Sequence, residues 1–267
     1  MKETNMIDIH THILPGLDDG AADIYDSLEM AAMAYKSGTN VIVATPHCNI
    51  PGMYDNYFGD KYCNTFLKTK EILQKEVPGI TILAGMEVFA TEELPRLLTE
   101  GQIFPVNRTR YVLMEFDFRE DPGYADRLLR KVKEVQAIPL IAHVERYEFV
   151  QDDPAIISRW KKRGYEIQVN KGSFLGKFGR EAEETAFLLL NHNLITAVAS
   201  DAHSPEQRTT CMADAYEYLR EEYAEEYLDI LFEKNPRNIC NGIRPVQFRR
   251  IPFEETITGR SIYSEKA

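Results

Sequence analysis

The stretch MIDIHTHILPGLDDG, residues 6–20, sets His10 and His12 two apart behind a short apolar run, with Asp18, Asp19 and Gly20 in the turn that follows. Side chains two apart on an extended chain point to one side, so both imidazoles face the same way. Further along, His47 closes TPH, Glu87 lies in GMEVF, Glu115 in LMEF, His143 in IAHVERY, and Asp201 and His203 in SDAH. Buried imidazoles and carboxylates need partners, and a cation is the common solution. A catalytic ion keeps three or four protein ligands and leaves room for water. Nine donors, counting Asp19 of the two adjacent aspartates and with one or two donors bridging, therefore suit two or three ions. Four carboxylates carry about −4 and three divalent ions about +6, which leaves a site near +2, matched to a phosphate dianion. Imidazole and carboxylate without thiolate fit manganese, iron or zinc, and manganese is favoured.

Taken singly, each of these residues has a plainer reading. One histidine at a strand end is more often a hydrogen-bonded core or loop residue. Glu87 or Glu115 alone reads as a solvated strand end or a salt-bridge partner, and Asp-Gly alone is turn chemistry. Their joint placement is what points to a metal cluster. Seven β-branched or apolar segments, at 6–9, 40–45, 80–86, 111–115, 138–142, 165–169 and 194–199, read as strands. Several are continuously apolar, as strands buried on both faces are. Helical patterns fall between them at 23–37, 125–136 and 181–191; in the first, Leu28, Ala31, Ala32 and Tyr35 share a face and Gly38 marks the stop. Strands alternating with helices imply a parallel sheet, open or closed into a barrel. Five of the six histidines sit at the C-terminal ends of these strands, where such folds build their active sites. Residues 48–60, rich in Gly, Tyr and Asn, read as a long functional loop, with Tyr54, Tyr57 and Phe58 offering an aromatic wall.

A chain of 267 residues suits one large α/β domain or two small ones. A net charge of −11 argues against nucleic acid as a partner and requires a local positive site for any phosphate-bearing substrate. The chain shows no signal peptide and no apolar run long enough to insert in a membrane. Cys48, Cys63, Cys211 and Cys240 form no C-x-x-C pair, so we expect reduced thiols and a cytoplasmic protein. None of them has an arginine six positions later, as thiol-based tyrosine phosphatases require.

Together with QVN and NPRNI, these motifs resemble the polymerase and histidinol phosphatase (PHP) superfamily over about residues 6–245. The closer resemblance is to bacterial manganese-dependent protein-tyrosine phosphatases encoded with capsule and exopolysaccharide genes. It implies an α/β fold, a distorted seven-stranded TIM-like (β/α)7 barrel over residues 1–245 with a trinuclear metal site at the C-terminal strand ends, and a tail at 246–267. One ion would be held by His10, His12, Glu87 and Asp201. A second would use Glu87, Glu115 and His143, and a third Asp19, His47 and His203. The second aspartate of the turn is the implied ligand, leaving Asp18 as a turn residue or a neighbour of the ligands. Arg146 and Arg208 are implied to hold the substrate phosphate and to act in catalysis. The first loop, ILPGLDD, departs from the family pattern without disturbing the ligand positions.

The implied activity is phosphomonoester hydrolysis in which a metal-activated bridging hydroxide attacks phosphorus. The substrate would be a phosphotyrosine protein, the tail of a bacterial tyrosine kinase that regulates polysaccharide synthesis. A phenolate, with a pKa of about 10, leaves with little protonation. An alkoxide would need a proton from metal-bound water or from His203. Three alternatives stand beside this reading. One is a histidinol-phosphate or other small-molecule phosphatase of the superfamily, and another a non-catalytic metal-bound regulatory module. The third, an amidohydrolase, needs a bridging lysine where Glu115 stands. The helix at 23–37 or the tail offers a surface for a homo-oligomer.

Overall fold

Each of the seven segments read as strands contains a strand, and two further short strands follow the second and the third of them. The computed structural model describes residues 5–253. It contains β1 (Met6–Thr11), β2 (Thr39–Ala44), β3 (His47–Cys48), β4 (Thr81–Ala84), β5 (Glu87–Phe89), β6 (Tyr111–Glu115), β7 (Ile138–Ile141), β8 (Glu166–Asn170) and β9 (Ala197–Ala199). Every pairing between these strands is parallel. They form a sheet ordered β1-β2-β4 and a second ordered β3-β5-β6-β7-β8-β9. The described residues thus hold nine strands in two sheets, where the resemblance implied a barrel of seven.

The cause is local. Pro46 has no N–H to continue the ladder beyond β2, and Gly85-Met86 interrupts the passage from β4 to β5. A Cβ on Gly85 would lie 2.8 Å from Val43 Cγ1, so only glycine lets the two neighbouring breaks approach. Backbone bonds bridge the interruption, with Glu87 N donating to Pro46 O at 3.2 Å. At the far edge the chain after β9 returns to β1. Asp201 N donates to His10 O and His12 N to Ala202 O, each at 2.9 Å. The result is a mixed α/β fold around a curled parallel sheet.

The helices begin where their caps dictate. The Asp23 carboxylate accepts from Tyr25 N and Asp26 N and starts Ile24–Lys36; Asp121 accepts from Tyr124 N and starts Pro122–Glu134, with proline in the first turn. Arg180–Asn191 is the third helix read from the sequence. The main core is packed between sheet and helices and includes the fully buried Trp160, Phe174 and Leu189. A smaller cluster joins Ile7, Ile9, Val43, Leu113, Leu140 and Ala199 across the sheet.

Away from the histidine-bearing strand ends lies a buried ion pair. Lys161 Nζ donates to Glu166 Oε2 and to Thr196 Oγ1, each at 2.6 Å. Asn235 of NPRNI is fully buried and donates to Thr196 O at 2.9 Å, while accepting from Val246 N at 2.7 Å. The chain after Pro245 then packs back on its own domain: Ile251 N donates to His192 O at 3.1 Å, and His192 Nδ1–H to Ile251 O at 2.8 Å. The sixth histidine is therefore a structural clasp. The rest of the expected tail, residues 254–267, lies outside the described residues. Among the described residues no helix is long and apolar enough to cross a membrane.

Candidate metal and phosphate site

His10 and His12 leave β1 on the same side, their Nε2 atoms 3.2 Å apart. His47 opens β3, Glu87 opens β5 and Glu115 closes β6, while His143 and Asp201 follow β7 and β9. His143 (φ 34°) and Asp201 (φ 53°) both take left-handed backbone, which turns the chain sharply at the strand end and costs roughly 1–3 kcal/mol per residue. All nine side chains singled out as ligands converge. Three groups each place one donor atom per residue within 4.8 Å of the others: His10, His12, Glu87 and Asp201; His12, Asp19, His47 and His203; and His47, Glu87 and Glu115.

The first group has the membership the sequence implied, and the other two differ. His12 joins Asp19, His47 and His203, because its ring centroid lies 3.8 Å from that of His203 and 4.5 Å from that of His47. His47 sits with Glu87 and Glu115, its Nδ1 3.1 Å and 3.0 Å from their oxygens. His143 flanks that group, with Nε2 2.9 Å from Glu87 Oε1 and 3.6 Å from Glu115 Oε2.

These contacts are short, and His143 Nε2–H donates to Glu87 Oε1, but most of the others do not align as hydrogen bonds. His47 Nδ1, Glu87 Oε2, Glu115 Oε1, His143 Nδ1 and His203 Nε2 are buried and have no hydrogen-bond partner among the described residues. Buried polar atoms are normally satisfied, so five orphans in one cluster fit a set of cations. Electrostatics agree. Burial opposes charge on Glu87, yet the charges of His10 and His47 hold its carboxyl well below the ordinary range. Burial likewise opposes charge on Asp201, which His10, His12 and Arg208 together lower well below that range. Asp19 is lowered first by its close contact with His203, against partial burial. Burial disfavours the His47 cation, but Glu87 and Glu115 push it up to about 10; His143 rises to about 9 against burial, through Glu115 and Glu87. His203 moves down through burial and the charge of His12. Protons on His47 and His143 thus balance carboxylates that a divalent ion would balance instead.

Asp18 takes the place of a neighbour of the ligands, one of the two readings given to it above, and other supporting residues carried no role in the sequence reading. Asp18 Oδ2 accepts from His12 Nδ1–H at 2.7 Å and from His47 N at 2.8 Å, which leaves His12 Nε2 turned to the cluster. Gln168 Oε1 accepts from His10 Nδ1–H and from His143 N, each at 3.0 Å. Gln168 Nε2 then donates to Asn170 Oδ1 at 2.8 Å, and Asn170 Nδ2 to Asp201 Oδ2 at 2.7 Å. The only sequence sign of this chain is QVN, two amides at alternate positions of an otherwise apolar strand. Gly20 is needed for a close approach, because a Cβ there would collide with the His12 backbone and Cβ.

The two arginines stand together on the other side of Asp201. Arg208 pairs directly with Asp201 Oδ2, and Arg146 NH1 lies 3.5 Å from the same oxygen. Of the proposed aromatic wall, only Tyr54 reaches the cluster, stacked 5.6 Å from His47 with its ring 9° from parallel. Tyr57 donates its hydroxyl to Asn49 Oδ1 at 2.8 Å, and Phe58 packs on Phe104. Cys48 is buried beside His47, and burial pushes its thiol up to about 12, so it is no nucleophile.

Fold and site together define a class: parallel α/β proteins that carry clustered metal-binding groups and an arginine pair at the C-terminal ends of their strands. Within that class, the chain belongs to the capsular polysaccharide synthesis CpsB/CapC family, whose model matches residues 6–241. It is 36% identical over 228 residues to the tyrosine-protein phosphatase YwqE of Bacillus subtilis, a match that covers 85% of this chain and 89% of that one. With the tyrosine-protein phosphatase CpsB of Streptococcus pneumoniae it shares 29% identity over 239 residues, 88% of this chain and 98% of that one. A solved structure from work on YwqE and CpsB, reported as unique metal-dependent tyrosine phosphatases, superposes with a TM-score of 0.85 at 34% identity, covering 92% of this chain and 99% of its own.

Proposed function

We propose that this chain is a metal-dependent protein-tyrosine phosphatase that removes phosphate from a bacterial tyrosine kinase controlling capsule or exopolysaccharide synthesis. The observation that carries the reading is Asp201. Its Oδ1 faces the Nε2 atoms of His10 and His12, each at 3.4 Å, while its Oδ2 faces Arg146 and Arg208. One carboxylate thus joins the cation cluster to an anion pocket, the juxtaposition a phosphate ester requires.

In this reading His10, His12, Glu87 and Asp201 hold one divalent ion. Glu87, Glu115, His47 and His143 surround a second, and Asp19, His12, His47 and His203 a third. Manganese is our assignment, with iron and zinc compatible with the same donors. Such ions supply a water nucleophile at neutral pH and neutralise phosphate charge. Asp18 and Gln168 hold His12 and His10 with Nε2 lone pairs inward. Arg146 and Arg208 offer planar N–H edges to the phosphate oxygens and stabilise the charge that builds on them. His203 donates Nδ1–H to the Asp201 carbonyl at 3.0 Å, which turns Nε2 toward Asp19 and the cluster. A phenolate leaves without strong protonation, so none of these groups has to act as a dedicated acid. The seven-stranded barrel belongs to the same proposal: counting β2 with β3 and β4 with β5 as interrupted single strands gives seven. We also place the protein in the cytoplasm, which its four free cysteines support.

A protein substrate is favoured over a small phosphate ester by the wide-mouthed space beside Arg146. A cavity of about 770 Å³ opens there to solvent and extends past Phe118, Phe178, Glu148 and Asp152, which leaves room for the chain on either side of a phosphotyrosine. The test is to strip the protein of metal, restore manganese, and compare phosphate release from a phosphotyrosyl peptide with release from histidinol phosphate. The reading predicts manganese-dependent release with the peptide far the better substrate. Metal-independent release, no release at any pH from about 6 to 9, a window around the pKa of metal-bound water, or a preference for histidinol phosphate would overturn it.

A further inference from the structure

We propose that Phe178 is a positioning residue that sets both phosphate-binding arginines in one geometry. This inference rests on the phosphatase reading for the role of the arginines, and on geometry of its own for the role of the ring. The Arg146 guanidinium carbon lies 4.4 Å from the centroid of Phe178 and 4.4 Å from that of Phe118. The Arg208 guanidinium carbon lies 5.7 Å from the same Phe178 centroid. Phe178 is therefore an aromatic contact of both arginines, whereas Phe118 touches Arg146.

Two guanidinium groups converging on one oxygen repel each other, and each side chain loses many rotamers when it is fixed. The negative face of an aromatic ring draws cations to it and covers the guanidinium plane while leaving the N–H edges free. Those edges are what a phosphate needs. The ring is itself anchored. Phe178 follows the short helix Lys171–Phe174, and a Cβ on Gly172 would lie 2.8 Å from Phe178 Cε2, so the ring packs on a bare Cα. Gly176 (φ 67°) and Gly179 (φ 91°) make the tight turns that carry the ring there. Phe178 also lines two cavities, one of about 770 Å³ shared with Arg146 and one of about 210 Å³ shared with Arg208 and Lys171. It thus forms a wall between the spaces on the two arginines' sides, and is only half-buried, unlike the core aromatics.

The experiment compares wild type with Phe178→Leu and Phe178→Trp, all loaded with manganese. Leucine keeps apolar bulk without a π face, and tryptophan restores one. Three readouts are taken: kcat and KM on a phosphotyrosyl peptide, affinity for inorganic phosphate by calorimetry, and metal content with Tm. We expect Phe178→Leu to keep wild-type metal content and Tm, to lose roughly tenfold or more in kcat/KM and to bind phosphate correspondingly more weakly, the scale expected for weakened cation–π contacts on two arginines. Phe178→Trp should recover both to within a few-fold. The proposal is overturned if Phe178→Leu matches wild type in phosphate affinity. It is equally overturned if affinity falls only in step with metal content and Tm and tryptophan restores nothing, which is the signature of a packing role alone. Should wild type hydrolyse no phosphotyrosyl peptide, the phosphatase reading fails by that result, while Phe178 is still judged on phosphate affinity.

Discussion

Adjacent residues in one turn do different work at this site. Asp19 is half exposed and reaches His47 and His203, its Oδ1 3.5 Å from each Nε2. Asp18 has a buried side chain and holds His12 from behind. Partners of this kind commonly tune metal affinity by about 10- to 100-fold. Asp18→Asn should weaken metal binding on that scale in a competitive metal titration while leaving the fold intact, and unchanged affinity would remove Asp18 from the account. The nine ligand candidates were legible in the sequence because a polar residue closing an apolar strand is anomalous on its face. Asp18 was legible only as a turn residue or a neighbour of the ligands, and the roles of Gln168 and Phe178 were not legible. They act through contacts set by tertiary structure, as His10 with Gln168 across 158 positions shows, and no periodicity records such pairs. The division of ligands among ions was legible only in part, because His12 and His47 sit where neighbouring groups meet.

At the scale of elements, the strands place chemistry at one end and stability elsewhere. β8 shows both: Gln168 and Asn170 near its end hold His10, His143 and Asp201 in place, while Glu166 at its start pairs with Lys161. Burial lowers the Lys161 ammonium from its ordinary pKa, and Glu166 opposes that shift. Removing one partner leaves a buried charge unmatched, which costs about 3–5 kcal/mol. Lys161→Met should therefore lower stability by that order in urea unfolding while kcat/KM of the folded protein stays near wild type. A loss of activity at full stability would contradict this separation. Element positions were readable from apolar runs, but not all their ends: the helix read at 125–136 begins at Pro122, where Asp121 caps it. The two further short strands were not readable, because they follow from residues 43–46 meeting Gly85 and Glu87 across the sheet rather than from either segment alone.

For the whole molecule, the cluster couples stability to pH and to metal. His47 and His143 are raised to about 10 and about 9 from 6.5. In metal-free protein their contribution is complete below the unfolded value and is lost as pH rises through about 9 to 10. Glu87 and Asp201 are depressed, so theirs is present above the ordinary carboxylate range and is lost on acidification. Metal-free protein should thus show a Tm that falls between about pH 6.5 and 10, a limb that metal flattens because bound imidazoles carry no proton to lose. Equal decline with and without metal would refute the coupling. If the clustered donors hold divalent ions, elemental analysis of the purified, dialysed protein counts them. Metal-loaded wild type should hold one ion for each of the three donor groups, and Glu87→Gln should lose more than one, since Glu87 belongs to two of them. A wild-type protein that holds one ion or none after metal loading, or a Glu87→Gln protein that keeps the full complement, would contradict that assignment.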